Sequence, residues 1–266
     1  VLSRQRSSAA RSTAVALAGL VLTCAAVLTA CGPETGAGAG LSASTAGPTA
    51  APAGPTAAAS GPSDGPQPQA AEYQITIRQE EGRIDPEASF RADIPVLSGP
   101  DATVVGRVNA AIADYVRGEK AQTAYESLTL TAGNPHVGAH VLALSFGGDR
   151  YPPGAAHPAE LASGLVFDLR SGARVTIEDV FTSTPAGLRR LESIVRAELD
   201  RRFPDGPTGG VTDPDPANYR QFVVNPRGLV VIVAELPYVL GPQSVLAPWD
   251  QLDGLVRPEL ADVLRS

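Results

Sequence analysis

Residues 32–70, GPETGAGAGLSASTAGPTAAPAGPTAAASGPSDGPQPQA, hold no aromatic side chain and one large aliphatic, Leu41. So little apolar surface cannot offset the conformational entropy lost on ordering. With Cys31 before it, the tract reads as a disordered tether over 31–70, and it divides the chain. As a flexible coil it spans roughly 35 Å, and more where proline stiffens it. Its serines and threonines beside proline suit O-glycan attachment. What folds lies in 71–266, where 196 residues suffice for one domain with a substantial core.

On the other side of the tether, 1–30 has the three regions of an export signal. Arg4, Arg6 and Arg11 form a basic start, and Ala14 to Leu28 form an apolar segment too short to span a bilayer comfortably. Leu28-Thr29-Ala30-Cys31 follows, a lipobox that resembles bacterial lipoprotein signals. That resemblance implies diacylglycerol on the Cys31 thiol, cleavage before Cys31, and acylation of the new amino group, commonly by palmitate. An ordinary secretory signal is the alternative. Cys24 lies in the apolar segment and leaves with it, so no disulfide or cysteine-held metal is expected in the mature chain. Two or three acyl chains, at about 0.8 kcal/mol per buried CH₂, anchor stably. The expected location is extracytoplasmic, on the outer face of the cell membrane.

The formal charge is −7; without Arg4, Arg6 and Arg11, 18 basic residues face 28 acidic ones, a balance of −10. Such a domain is a poor match for nucleic acid or anionic lipid. The excess suits a basic partner, or it serves solubility alone. Lys120 is the one lysine among abundant arginine and alanine, which points to a GC-rich, actinobacterial type of source; Val1 then reads as a GTG start.

Within 71–266 the periodicities alternate between strand and helix. Tyr73, Ile75 and Ile77 alternate with polar residues, and Gly82-Arg83 and Asp85-Pro86 interrupt that strand. Phe90 to Leu97 is a second strand, with Pro95 arguing for an edge or an end. Val104, Val105, Val108, Ala111, Ile112, Tyr115 and Val116 share one face of a helix. Ser127 to Ala132 and His140 to Phe146 read as paired strands, with Leu142, Leu144 and Phe146 facing one way. Leu165, Phe167 and Leu169 make a strand, Arg170-Ser171-Gly172-Ala173 a hairpin turn, and Val175 and Ile177 its continuation.

Glu178 to Phe181 form a helical turn. Thr184-Pro185 begins a helix with the stripe Leu188, Leu191, Val195 and Leu199, which ends at Pro204. After a loop over 204–217, Tyr219 to Val224 reads as a strand. Leu229 to Ala234 is apolar on both faces and reads as a central strand. Ser244 to Ala247 is a short strand, and Trp249 to Leu264 a helical tail interrupted or restarted by Pro258.

Several of these segments occur in a telling order. Tyr151, Gly154-Ala155-Ala156-His157, Phe167-Asp168-Leu169, Gly172 and Ile177-Glu178-Asp179-Val180-Phe181 come first. Gly228 to Val233, Pro237-Tyr238, Gly241 and Ala247-Pro248-Trp249-Asp250-Gln251-Leu252 follow. Together they resemble the RsiV-like domain family, found at the C-terminus of the lysozyme-sensing anti-sigma factor RsiV and in a secreted mycobacterial immunogenic protein. Ala155 stands where the family pattern has a second glycine. The resemblance covers nearly all of 72–256, with a strand–helix part over about 71–135 and a C-terminal part over about 136–266. It implies an α+β domain, a curved antiparallel sheet with two to three packed helices, and an extracytoplasmic role. It does not imply one activity. The chain shows no sigma-binding segment, so it is not expected to be such an anti-sigma factor itself.

Signs of chemistry are few. His136 and His140 are four residues apart, some 13 Å on a strand, which argues against a shared metal. His157 sits in the Gly/Ala turn, either as a site residue or as a histidine bonded to backbone. Ser145 and Ser163 lack a nucleophile-elbow pattern, and Glu178 and Asp179 read as a helix cap. No phosphate loop or dinucleotide fingerprint is present, and no cofactor or metal is expected. Tyr151, Tyr238 and Trp249 are candidates for an aromatic patch, and with His157 they make the candidate binding loop. The reading is a surface lipoprotein that binds a basic secreted protein such as a lysozyme, or a cell-wall glycan. The alternatives are an envelope esterase or cell-wall deacylating hydrolase, and an immunogenic surface protein with no small ligand.

Overall fold

The computed structural model describes residues 72–266 except 85, 87, 123, 124, 205 and 207–209. The export signal, Cys31 and the tether lie outside the described residues. The domain is α+β. Strands β1 (Gln74–Arg83) and β2 (Ser89–Ser98) form an antiparallel hairpin paired from Gln74↔Ser98 to Arg83↔Ser89. Helix α1 (Ala102–Lys120) follows, capped by Asp101, whose Oδ1 accepts from the Thr103 and Val104 amides at 2.8 and 3.1 Å. Asn109 on α1 ties the helix to the end of β2, accepting from Leu97 N at 2.8 Å and donating to Leu97 O at 2.9 Å.

The chain then lays down β3 (Ser127–Ala132), β4 (His136–Val137), β5 (Val141–Tyr151), β6 (Ala159–Asp168) and β7 (Ala173–Val175). Among the described residues these make a seven-stranded sheet in the order β1-β2-β3-β5-β6-β7, with β4 also paired to β5. The sheet is antiparallel except at β2 and β3, which run parallel over Ser89–Ala92. That exception departs from the all-antiparallel expectation, and α1 is its cause, because it returns the chain to the end it started from. It also explains Pro95. The β3 partner stops at Ala92, so β2 has one neighbour at Pro95 although it is an inner strand.

Both faces of β5 and β6 are covered. Leu142, Leu144, Phe146, Leu165 and Phe167 pack under Val104, Val108, Ile112 and Val116 of α1. Val141, Ala143 and Val166 point the other way into a larger core. There they meet α3 (Thr184–Arg202), with Leu188, Leu191, Val195 and Leu199 all buried, and a separate sheet. Each such side chain contributes about 1.5–3 kcal/mol by leaving water.

The separate sheet comprises β8 (Phe222–Asn225), β9 (Gly228–Val233) and β10 (Gln243–Pro248), in the order β10-β9-β8. So β9 is central as expected, but in a small sheet of its own. Phe222, Val224, Leu229, Val231, Val245 and Ala247 line its buried face. Tyr219 belongs to a helical turn, α4 (Pro216–Tyr219), and not to the strand after it. Ser183 rather than Thr184 precedes the first residue of α3. Helix α2 (Ile177–Val180) is closed by Asp179, whose Oδ2 accepts from Thr176 N at 2.9 Å and Oγ1 at 2.8 Å. The tail is a 3₁₀ turn (Trp249–Leu252) and then α5 (Pro258–Leu264), which Pro258 starts.

Candidate functional site

Two loops meet beside the N-terminal end of β6. The first begins where Pro152-Pro153 ends β5. Gly154 takes a left-handed φ of +70°, so the turn's unusual backbone falls there and not at Ala155. Ala155 N donates to Pro152 O at 3.2 Å, and the Tyr151 hydroxyl donates to Ala155 O at 2.8 Å, fastening the turn. His157 is exposed, with Nδ1 3.1 Å from Pro158 O.

The second loop leaves β9 through Leu236, which is anchored in the larger core. Leu240 N donates to Pro237 O at 2.8 Å, and Gly241, at φ +58°, donates to Tyr238 O at 3.1 Å. These bonds hold Tyr238 and Val239 outward, 53% and 83% exposed. The Tyr238 ring stacks on His157, centroids 3.6 Å apart and planes 17° off parallel. A Cβ at Gly241 would lie 2.9 Å from Glu160 Oε2, which shows how closely this loop lies on β6.

Of the four residues expected at a binding loop, His157 and Tyr238 are in contact and Tyr151 supports the turn. Trp249 is not brought to these loops. It is 7% exposed, its Nε1 donates to Asn225 O at 3.0 Å, and the Arg265 guanidinium lies 5.7 Å from its ring. Following a buried strand, it seals the small sheet. His136 and His140 both face the end of the chain: His136 Nε2 is 3.0 Å from Ser266 O, and the His140 amide donates to Ser266 Oγ at 3.0 Å. Among the described residues no three His, Cys, Asp or Glu side chains converge as a metal site would require.

Next to the loops, a cleft of about 330 Å³ opens between the C-terminal half of α1, the first half of β6, α4 and the end of β9. In its wall the hydroxyls of Tyr115 and Ser163 are hydrogen-bonded. Burial pushes the Tyr115 phenol up to about 12, the bond to Ser163 offsetting only part of this, so it keeps its proton at neutral pH. Gln221 Oε1 accepts from Gly164 N at 3.1 Å. Arg150 donates to Glu119 at 2.7 Å with both side chains largely buried, while its buried Nε has no hydrogen-bond partner among the described residues. Arg220 and Glu235 pair at 3.0 Å on the exposed rim.

Sequence reasoning missed this cleft. Tyr115 reads as one more apolar position of α1, and Ser163 as a serine without a motif. The polar tip of Tyr115 was the one available signal, since a half-buried phenol needs a partner.

No family model matches the chain, and no curated protein does. Solved structures do. A crystal structure of a DUF3298 family member from Bacteroides fragilis NCTC 9343 is 14% identical, with 74% of this chain and 98% of that one covered and a TM-score of 0.54. A DUF3298 family protein from Pseudomonas aeruginosa PAO1 is also 14% identical, with 72% and 97% covered and a TM-score of 0.47. The first likeness is one of fold. Among the described residues no helix is long and apolar enough to cross a membrane.

Proposed function

We propose that the chain is an extracytoplasmic binding module of the RsiV-like kind, lipid-anchored through Cys31, whose loops 152–158 and 234–241 engage a partner protein. The observation that carries this is the stack of His157 on Tyr238 with Val239 beside it. Exposed aromatic and aliphatic side chains held outward by turn hydrogen bonds are what interfaces use as anchors. The fold likeness to a DUF3298 member, over nearly all of that protein, supports the family part of the reading. The partner class is a basic secreted protein such as a lysozyme, in keeping with the net charge of −7 and with the carboxylates of Glu160 and Glu235 beside the loops.

Calorimetry of the purified chain against lysozyme tests this. Binding should survive physiological salt, where exposed charges more than about 8 Å apart are screened. Tyr238→Ala should weaken it at least about tenfold, as expected for loss of an aromatic anchor. Absence of heat, or binding that vanishes at physiological salt, would sink the proposal.

A further inference from the structure

We infer that the cleft beside the loops is a binding site for a neutral, hydroxyl-rich ligand, a saccharide of one or two rings. The inference goes beyond the loop reading and rests chiefly on other residues, Tyr115, Ser163, Asn218 and Gln221.

The hydrogen-bonding capacity left over in the cleft carries it. Tyr115 and Ser163 have two hydroxyl protons between them, and their mutual bond uses one. Neither hydroxyl has another acceptor among the described residues, so one proton remains to be given. Gln221 spends its carbonyl oxygen on Gly164 N, which leaves its amide N–H groups as donors. Asn218 is the converse: its Nδ2 donates to Gly210 O and Asp213 O, both at 3.0 Å, which leaves Oδ1 as an acceptor. Glu160 adds an exposed carboxylate that pairs with no cation among the described residues.

The full charges nearby are mostly closed on themselves. Arg150 holds Glu119 and Arg220 holds Glu235. A ligand that matches this wall offers donors and acceptors in alternation and brings no net charge, and a hydroxyl group is both at once. Leu161 and Ile232 give the cleft an apolar side suited to the C–H face of a sugar ring. Its volume, about 330 Å³, lies at the small end of ligand pockets.

The test is a titration of the isotope-labelled chain with chitobiose and with cellobiose, followed by amide NMR shifts. The expected result is a saturable shift at Ser163, Gly164 and Gln221. Tyr115→Phe keeps the ring on Phe146, 4.8 Å away, and should weaken binding about tenfold, with Tm lowered by only a few degrees, about 2–4 °C per kcal/mol, for the lost bond to Ser163. Retention on insoluble cell wall that the disaccharide competes away identifies the polymer as source. Disaccharide binding without such retention identifies a soluble sugar. The absence of a saturable shift at those amides up to about 20 mM, or shifts confined to 152–158 and 234–241, would overturn the inference. Because the mapping uses the native chain, misfolding of a variant cannot obscure the answer. Tyr238→Ala leaves the cleft wall intact, so lysozyme binding and disaccharide binding can fail separately.

Discussion

Gly164 on β6 packs tightly against the backbone of β8, and Gly164→Ala tests that approach directly. A Cβ there would sit 2.1 Å from Phe222 O, 2.7 Å from its carbonyl carbon and 3.0 Å from Val223 Cγ1. Two of these three obstacles are backbone atoms, so no rotamer change relieves them. Atoms at rest prefer about 3.5 Å, so β8 would have to withdraw by more than about 1 Å. The Gln221–Gly164 hydrogen bond of 3.1 Å spans the same gap and would be lost. Overpacking costs about 1–3 kcal/mol and the hydrogen bond about 1 kcal/mol. Reduced freedom of the unfolded chain returns about 0.4–1 kcal/mol. The net is about 1–3.6 kcal/mol, or a fall in Tm of about 2–14 °C for a domain of this size. Gly147→Ala is the control. Only Leu161 O, at 3.9 Å, comes near its added Cβ, so its Tm should stay within about 2 °C of native. Thermal unfolding followed by Trp249 fluorescence and circular dichroism reads both. Equal melting temperatures for the two variants would refute the argued contact between β6 and β8.

Further outcomes follow from single contacts. Asp168 is pushed up by burial, but hydrogen bonds from the Arg170 side chain and backbone outweigh this and hold it below its ordinary 3.8. A depressed carboxylate stabilises above its unfolded pKa and loses that effect as pH falls through the folded one. Asp168→Asn should therefore cost about 1.5–3 kcal/mol at neutral pH and little near about pH 2; a gap in Tm that does not narrow with acid would refute this. The Tyr219 hydroxyl, buried, donates to Thr212 O at 2.6 Å, so Tyr219→Phe should lower stability by about 1–2 kcal/mol in urea unfolding at unchanged m-value. Cys31→Ala should leave the chain unprocessed or release it to the medium, and unchanged membrane fractionation would remove the lipid anchor from the proposal.

Elements with strong local periodicity are legible in the amino-acid order alone. The valine stripe of α1 and the leucine stripe of α3 announce buried faces by spacing, and Asp179 announces its own cap. Pairing between distant segments is not legible. Nothing in Leu229 to Ala234 says which sheet it centres, because two buried neighbours look alike from either sheet. Tyr219 looks like strand because its ring is apolar, whereas Asp215, accepting from Ala217 N at 2.9 Å, starts a helical turn there. The loops are legible in part. Tyr238 and His157 stand out singly, but their stacking joins segments some eighty residues apart. Trp249 misleads because aromatic side chains serve cores and surfaces equally. The cleft is out of reach, since Tyr115, Ser163 and Gln221 lie far apart along the chain and none has a motif around it.

The parallel join of β2 to β3 also bears on how the domain assembles. The β1–β2 and β5–β6 hairpins pair residues close along the chain, so each closes at little cost in loop entropy. The join from Ser89↔Ser127 to Ala92↔Leu130 cannot form so locally, because α1 must first dock on β2 to bring β3 back. Among the strand pairings of the long sheet this one closes the longest loop and so costs the most loop-closure entropy there. The last turns of α1 carry Tyr115 and Glu119 into the cleft, so the docking of α1 that closes this loop also sets one wall of the cleft, and the long sheet and the cavity beside it are built by one and the same contact.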